Sequence, residues 1–398
     1  MNHLTKPQRT LLFACFYAFF CNGLIALMQG SMMPDMKAAY GLTDTAGGLM
    51  LSAHSIGNLA AGFLSGVVGV YLGRKKTAIM LSSLAFIGML LIALFGAPGL
   101  LFAAFILTGV GRGSISNFNN GTVNAITGGS AAASNLLHAV FAIGAITAPM
   151  AFLALKGAFG WQAGPIFVAV CGTISVLNLT RVTVENDKPA RRDSARDFSF
   201  MKDPVFLVLA IMMLFYLCSE YAINGWLVTY IQSKASLRAA LSGDGAIRAY
   251  SQTMATLLWV VILVGRLSCA WLSQRVHPRK LMLIASIGEA AAFAGVLFSS
   301  SIPAVTVCVA LTGFCMAGIC PMIYADAAWY TNTYPMSTGI LLSFGSAGGI
   351  AMPTVVGALA DRYGFGGGMS AILFAICMLV LCAAANALMK RKNAQEVL

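Results

Sequence analysis

The sequence predicts an all-α integral membrane protein, with twelve transmembrane helices in two pseudo-symmetric six-helix bundles. Three observations carry this reading. The first is composition. Of 398 residues 59% are hydrophobic and only 10% are charged, where a soluble domain carries roughly 25% charged residues. So much apolar surface needs lipid as its solvent. The second is the run of apolar segments, each long enough to cross a bilayer as helix, which takes roughly 20 residues. The third is their grouping: six segments, one charge-rich stretch, then six more.

The segments are read at 10–33, 45–72, 77–95, 100–127, 131–155 and 164–179, then at 204–231, 252–272, 281–298, 303–330, 339–360 and 367–389. This gives an N-terminal bundle at 1–180, a cytoplasmic linker at 181–203 and a C-terminal bundle at 204–398. The first segment is long and lacks a small-residue cleavage site, so it is expected to span the membrane rather than to be removed. The ten cysteines lie mostly inside apolar segments without metal-ligand spacing and read as small buried hydrophobes. No metal and no cofactor is expected.

The two sets of six share matches at one constant spacing. Leu107-Thr108-Gly109 falls on Leu311-Thr312-Gly313, and Gly144-Ala145-Ile146 with Pro149 falls on Gly348-Gly349-Ile350 with Pro353. Ala154-Leu155 with Gly160 falls on Ala358-Leu359 with Gly364, and Lys75-Lys76 on Arg279-Lys280. Two related halves around a midplane site suit alternating access by rocking one half against the other.

The net charge of +12 is distributed in a way that argues against nucleic acid as partner. With a cytoplasmic N-terminus, the connections holding Arg74, Lys75, Lys76, Lys188, Arg191, Arg192, Arg196, Arg275, Arg279 and Lys280 all fall inside. The opposite connections hold few cations, such as Lys37, Lys156, Lys234 and Arg238. That bias is the positive-inside rule. It predicts a multi-pass protein of the cell (inner) membrane with both termini cytoplasmic and the bilayer as its surroundings; separately, a monomer is expected.

Gly66-Val-Val-Gly-Val70-Tyr71-Leu-Gly73-Arg74-Lys75-Lys76 resembles the signature between helices two and three of the major facilitator superfamily. Gly66, Gly73, Arg74 and Lys75 match that signature; Val70 and Tyr71 stand where the family has Asp-Arg. A second copy runs from Gly265-Arg266 through Arg275 to Arg279-Lys280. The resemblance covers the whole chain and implies a secondary transporter in which these loops take part in gating. A finer resemblance is to the fucose permease-like branch of sugar transporters. It rests on Leu136-Leu137-His138 with Phe141, Gly144 and Pro149, on Glu220 with Trp226 and Tyr230, and on Gly348-Gly349 with Pro353, Gly357 and Asp361. It implies a sugar as solute. Gly30-Ser31 before Pro34, and Ser116-Asn117 in the fourth segment, stand where the branch has carboxylates.

Glu220, Glu289 and Asp326 are the carboxylates expected well inside apolar segments. An ionisable group at that depth is costly and reads by default as functional, and a carboxyl there can take up and release a proton. Glu220 and Asp326 are the proton-coupling candidates; Glu289 reads as a packing contact. Arg112 is the cation deep in the first half. It could bind a substrate carboxylate bidentately, or neutralise a membrane carboxylate, since buried charges are usually paired.

The remaining substrate-binding candidates are polar or aromatic. Asn22 and Gln29 share a face of the first helix, and His54 and Asn58 lie one turn apart on the second. Asn119 and Asn120 follow Arg112, His138 lies on the fifth helix, and Tyr221, Asn224 and Trp226 follow Glu220. Tyr324 and Trp329 flank Asp326 and could stack on a ring, or belong to an interfacial belt. Gly109, Gly111 and Gly113 lie inside a spanning segment, so they do not form a nucleotide loop.

The reading is a secondary active transporter for a small polar solute, a sugar first, moved with protons; sodium is the other coupling ion considered. Organic-anion transport through Arg112, and efflux of amphipathic drugs, are the alternatives. An enzyme would need a nucleophile–base pair or a metal cluster, and neither spacing is present in the sequence.

Overall fold

The computed structural model describes residues 4–128, 130–184, 198–273, 275–334 and 336–389. Those residues form helices and turns, with no strand among them. The first half is α1 (Lys6–Tyr40), α2 (Asp44–Leu72), α3 (Arg74–Leu94), α4 (Pro98–Ile126), α5 (Ala131–Phe159) and α6 (Ala163–Arg181). A 3-10 turn (Ser199–Lys202) leads into α7 (Pro204–Ser233). Then come α8 (Ala235–Ala240), α9 (Asp244–Leu272), α10 (Pro278–Phe298), α11 (Ile302–Met316), α12 (Ile319–Asp326), α13 (Ala328–Thr333) and α14 (Ser337–Leu388). Residues 185–197 of the expected linker and 390–398 of the second bundle, with the basic residues they carry, lie outside the described residues.

Eleven stretches are long and apolar enough to cross a membrane, with α11 and α12 together counted as one. The longest, α14, is two helices joined at Gly364, whose φ of 74° and ψ of 170° are not helical. The chain therefore makes twelve passes. The sequence reading differs most at the tenth. One unbroken span was expected at 303–330, but α11 stops at Met316, α12 resumes past Ala317-Gly318, and Asp326 ends α12. A side chain at Gly318 would run into Cys269 of α9, so the break lies where two helices come close.

The repeat visible in the sequence marks the helix crossings. Gly109 of α4 lies against the backbone oxygen of His54 on α2, and its counterpart Gly313 of α11 lies against that of Leu258 on α9. Gly144 of α5 meets the oxygen of Phe20 on α1, and Gly348 of α14 meets that of Leu214 on α7. A Cβ at any of these would push two backbones apart, so small residues set these crossings. Gly111 and Gly113, on different sides of α4, admit Ala85 of α3 and Asn58 of α2. The helix ends repeat too. Gly160 (φ 85°, ψ 169°) closes α5 with the same backbone that Gly364 uses inside α14. Lys75 Nζ donates to the oxygens of Thr180 (2.9 Å) and Val182 (2.7 Å), at the end of α6. Its counterpart Arg279 donates to those of Asn386 (3.4 Å) and Met389 (2.8 Å), at the end of α14. A cation on the terminal carbonyls of a helix also complements its dipole.

The halves meet where α1 faces α7, α2 faces α14 and α5 faces α9. Their hydrogen bonds are not spread evenly along these seams. Asp361 of α14 accepts from the first turn of α2, Ser52 pairs with Thr354 (2.7 Å) and Gln252 Nε2 donates to Ser31 O (2.9 Å). Among the described residues, no hydrogen bond joins the halves at the other end, where Arg74 and Arg279 lie. The bundles are bonded together at the end where α2 begins, the closed end, while at the other, parted end Gly62 and Gly66 of α2 face open space.

Candidate functional site

A cavity sits between the halves, just beneath the closed end. It is lined by Ala26, Gln29 and Gly30 of α1, by Leu51, His54 and Ser55 of α2, and by Arg112 of α4. From the second half come Glu220, Tyr221, Asn224 and Gly225 of α7, Trp259 of α9 and Pro353 of α14. On α7 the spacing of Glu220, Tyr221 and Asn224 places them along one face, and Gly30 of α1 lets the Asn224 backbone come close.

The first-half wall is a bonded cluster. Gln29 Nε2 lies 2.7 Å from His54 Nδ1 and donates to Thr108 Oγ1 (3.2 Å), which is itself 2.8 Å from His54 Nδ1. With Nδ1 engaged in this way, His54 Nε2 has no hydrogen-bond partner among the described residues. Thr108 and Arg112 are one turn apart on α4 and share its face. The Arg112 guanidinium reaches across to the other half: Nη1 donates to the Tyr221 hydroxyl at 3.5 Å, and the group lies 5.9 Å from the ring centres of both Phe141 and Tyr221. Cation–π attraction holds it there without neutralising it. Arg112 Nε is buried with no partner, and the described ion pairs are Lys37–Asp44, Lys156–Asp35 and Arg279–Asp326.

In the second-half wall, Trp259 Nε1 donates to Asn224 Oδ1 (3.0 Å) and the Trp259 ring stands edge-on to Phe141, 5.5 Å between centres. Glu220 shares the cavity with Arg112, with no ion pair between them. Behind Glu220, Glu289 of α10 is fully buried. Its Oε1 accepts from Ser219 (3.2 Å), and Oε2 has no partner among the described residues.

Other residues singled out in the sequence lie elsewhere. Asp326 is not in the cavity: it is paired with Arg279 (3.2 Å) and accepts from Asn386 Nδ2 (2.9 Å), tying three helix ends together. Trp226 is fully buried between α7 and α14, where Nε1 donates to Pro353 O (3.0 Å) and the ring packs on Phe365. Asn22 donates to Ser116 (2.9 Å), while Asn119 and Asn120 bond backward to the oxygens of Ile115 and Ser116 on their own helix. Asn58 is half-buried with its side-chain oxygen beside Gly113. His138 is exposed and edge-on to Phe19. Tyr324 is half-buried on α12, and Trp329 packs on Tyr330 and Tyr334.

Of the loop-motif residues, Gly66 faces open space and Gly73 caps α2 at φ 82°. Arg74 lies against Gly121 of α4, Arg275 stacks over Trp271 at 4.1 Å, and Arg266 has a buried Nε without a partner. The sequence reading missed Ser55 and Trp259 as wall residues, and Thr108 and Phe141 as the groups that bond or pack behind the wall. Trp259 carried a usable signal: it stands in the middle of an apolar segment, far from the interfacial positions tryptophan favours.

Twelve passes in two related bundles, with a polar cavity at their interface, define a membrane carrier. The chain belongs to the Major Facilitator Superfamily, whose family model matches residues 15–247. It is 22% identical to the membrane protein MosC of Rhizobium meliloti, over 99% of this chain and 94% of that protein. It is 21% identical to the sialic acid transporter NanX of Escherichia coli (strain K12), over 96% and 94%. The crystal structure of the nucleoside transporter NupG superposes with a TM-score of 0.74 at 16% identity, covering 97% of this chain and 100% of that one. The protein is a multi-pass membrane transporter of small molecules and not an enzyme.

Proposed function

We propose that this transporter carries a small hydroxylated solute bearing a carboxylate, an acidic sugar in the simplest case, by proton-coupled alternating access between bundles 1–180 and 204–398. One observation carries this reading. Arg112 faces the cavity with no acidic partner among the described ion pairs, only aromatic faces and a tyrosine hydroxyl. A guanidinium partly withdrawn from water without a counter-charge is costly, and a bound carboxylate would supply that charge through two parallel hydrogen bonds. Gln29, His54 and Asn224 offer polar groups for hydroxyls, and Trp259 adds an aromatic edge. NanX, by its name, transports an acidic sugar, which supports the same solute class, as does the fucose permease-like pattern at Glu220.

Glu220 is the proposed proton carrier. Protonation would remove the charge it presents to an anionic solute in the same cavity and let the loaded carrier turn. The basic connections favour the cytoplasmic side of an inner membrane for the parted end, which supports an inward-facing reading of this conformation. In proteoliposomes, Glu220→Gln is expected to abolish accumulation driven by a proton gradient while leaving solute exchange intact. Accumulation that survives the substitution, or that follows a sodium gradient instead, would overturn the coupling role. The second reading is a neutral sugar, favoured by Gln29 and His54 in the wall, which hydrogen-bond with Thr108 behind it.

A further inference from the structure

At the closed end one side chain makes an unusual set of bonds. Asp361, near the end of the first segment of α14, accepts from the backbone N–H of Asp44 and of Thr45 with its two oxygens, each at 2.8 Å. Its second oxygen also accepts from the Thr45 hydroxyl at 2.6 Å. These donors begin α2, so a carboxylate of one half caps the first turn of a helix in the other. Such N–H groups have no partner within their own helix, and the positive end of the helix dipole favours the negative charge.

The surroundings are shaped for this contact. Gly357, one turn before Asp361, lies against the backbone oxygen of Asp44, and Gly48, one turn into α2, lies against that of Pro353. A Cβ at either position would force the two helices apart. Lys37 of α1 pairs with Asp44 and lies 5.2 Å from the Phe365 ring centre, so a third helix is drawn into the same contact. The arrangement is one-sided. By the repeat that sets Gly160 against Gly364, the counterpart of Asp361 is Gly157, which has no side chain to offer the first turn of α9.

We propose that Asp361 is the positioning residue that holds this carrier closed at the α2–α14 end, and that its release from the first turn of α2 is the step that lets that end open. The proposal rests on the alternating-access reading given above, and on no particular solute. Hydrogen bonds to a charged group are stronger than those between neutral groups. Three of them gather on one carboxylate, more than any other side chain makes across the halves among the described residues. Losing the charge should therefore shift the balance between closed and open at this end by roughly tenfold or more.

The test is hydrogen–deuterium exchange on the full chain in lipid nanodiscs without solute, comparing the native protein with Asp361→Asn. The expected result is reciprocal. Exchange in 44–52 and 353–361 accelerates by about tenfold, while 119–126 and 266–272, at the parted end, become slower as that end closes. Acceleration confined to 44–52 and 353–361, with no slowing at the other end, would make Asp361 a local cap and overturn the proposal. No acceleration at all would also overturn it. If Asp361→Asn does not fold, Thr45→Val removes one of the three bonds and must give the same reciprocal pattern at smaller amplitude. Because no solute is present, the outcome stands apart from solute identity. A variant that still binds its solute but shows no reciprocal change would sink the clamp alone.

Discussion

Two arginines, Arg112 and Arg279, divide the molecule into a working region and a structural one. Arg279 is tied on every side: to Asp326 at 3.2 Å and to the backbone oxygens of Asn386 and Met389. Arg112 faces a cavity, touches ring faces and a hydroxyl, and has no carboxylate. A buried charge with its partner supplied by the chain is part of the scaffold. A partly buried charge that faces a cavity without a carboxylate is, on the proposed reading, open to one from outside. The same contrast separates the carboxylates: Asp326 is consumed by Arg279 and Asn386, while Glu220 lines the cavity without an ion pair.

The comparison can be broken at either arginine. The largest effect is expected from Arg279→Ala, which strands Asp326 and uncaps the end of α14. Removing one partner of a buried pair costs about 3–5 kcal/mol. A thermal melt of the purified protein should show a clear drop, with solute affinity unchanged in the folded fraction. An unchanged melt would mean that the pair is not structural. Next comes Arg112→Lys, which keeps the charge but loses the planar fork. Calorimetric titration should show carboxylate affinity falling by about tenfold, the worth of one lost charge-assisted bond, with the melt of the empty protein unchanged. Smaller again is Trp226→Phe, which removes the hydrogen bond to Pro353 O. It should lower the melting temperature by the equivalent of about 1 kcal/mol and leave affinity within about twofold, because Trp226 is not a wall residue.

These contrasts were only partly legible in the sequence. The spans could be read because lipid imposes length and apolarity on each segment, and the repeat could be read because Gly109, Gly144, Gly313 and Gly348 sit where backbones cross. Thr108 was visible as part of the repeated Leu-Thr-Gly, but not as a partner of Gln29 and His54 on two other helices. Asp326 illustrates the limit best. An apolar neighbourhood marks a carboxylate as costly, yet its partner Arg279 lies 47 residues away in the chain and no local pattern connects them. Trp226 was read as a cavity residue from its place after Glu220, but helical geometry turns it toward Pro353 instead. Glu220, Arg112, Gln29, His54, Tyr221 and Asn224 do converge on one cavity, because polar groups in lipid-spanning helices turn inward wherever lipid would leave them unsatisfied.

The most direct test of an Arg112 anchor is thermal stabilisation of the purified protein by two panels, neutral sugars and small carboxylates including acidic sugars, in the native chain and in Arg112→Ala. Ligand that binds only the folded state raises the melting temperature by mass action. The expected result is stabilisation by a carboxylate that disappears in Arg112→Ala, while the empty variant melts no lower than the native chain. Stabilisation by a neutral sugar that persists in Arg112→Ala would contradict it, and would make Arg112 part of the conformational switch rather than of the solute site.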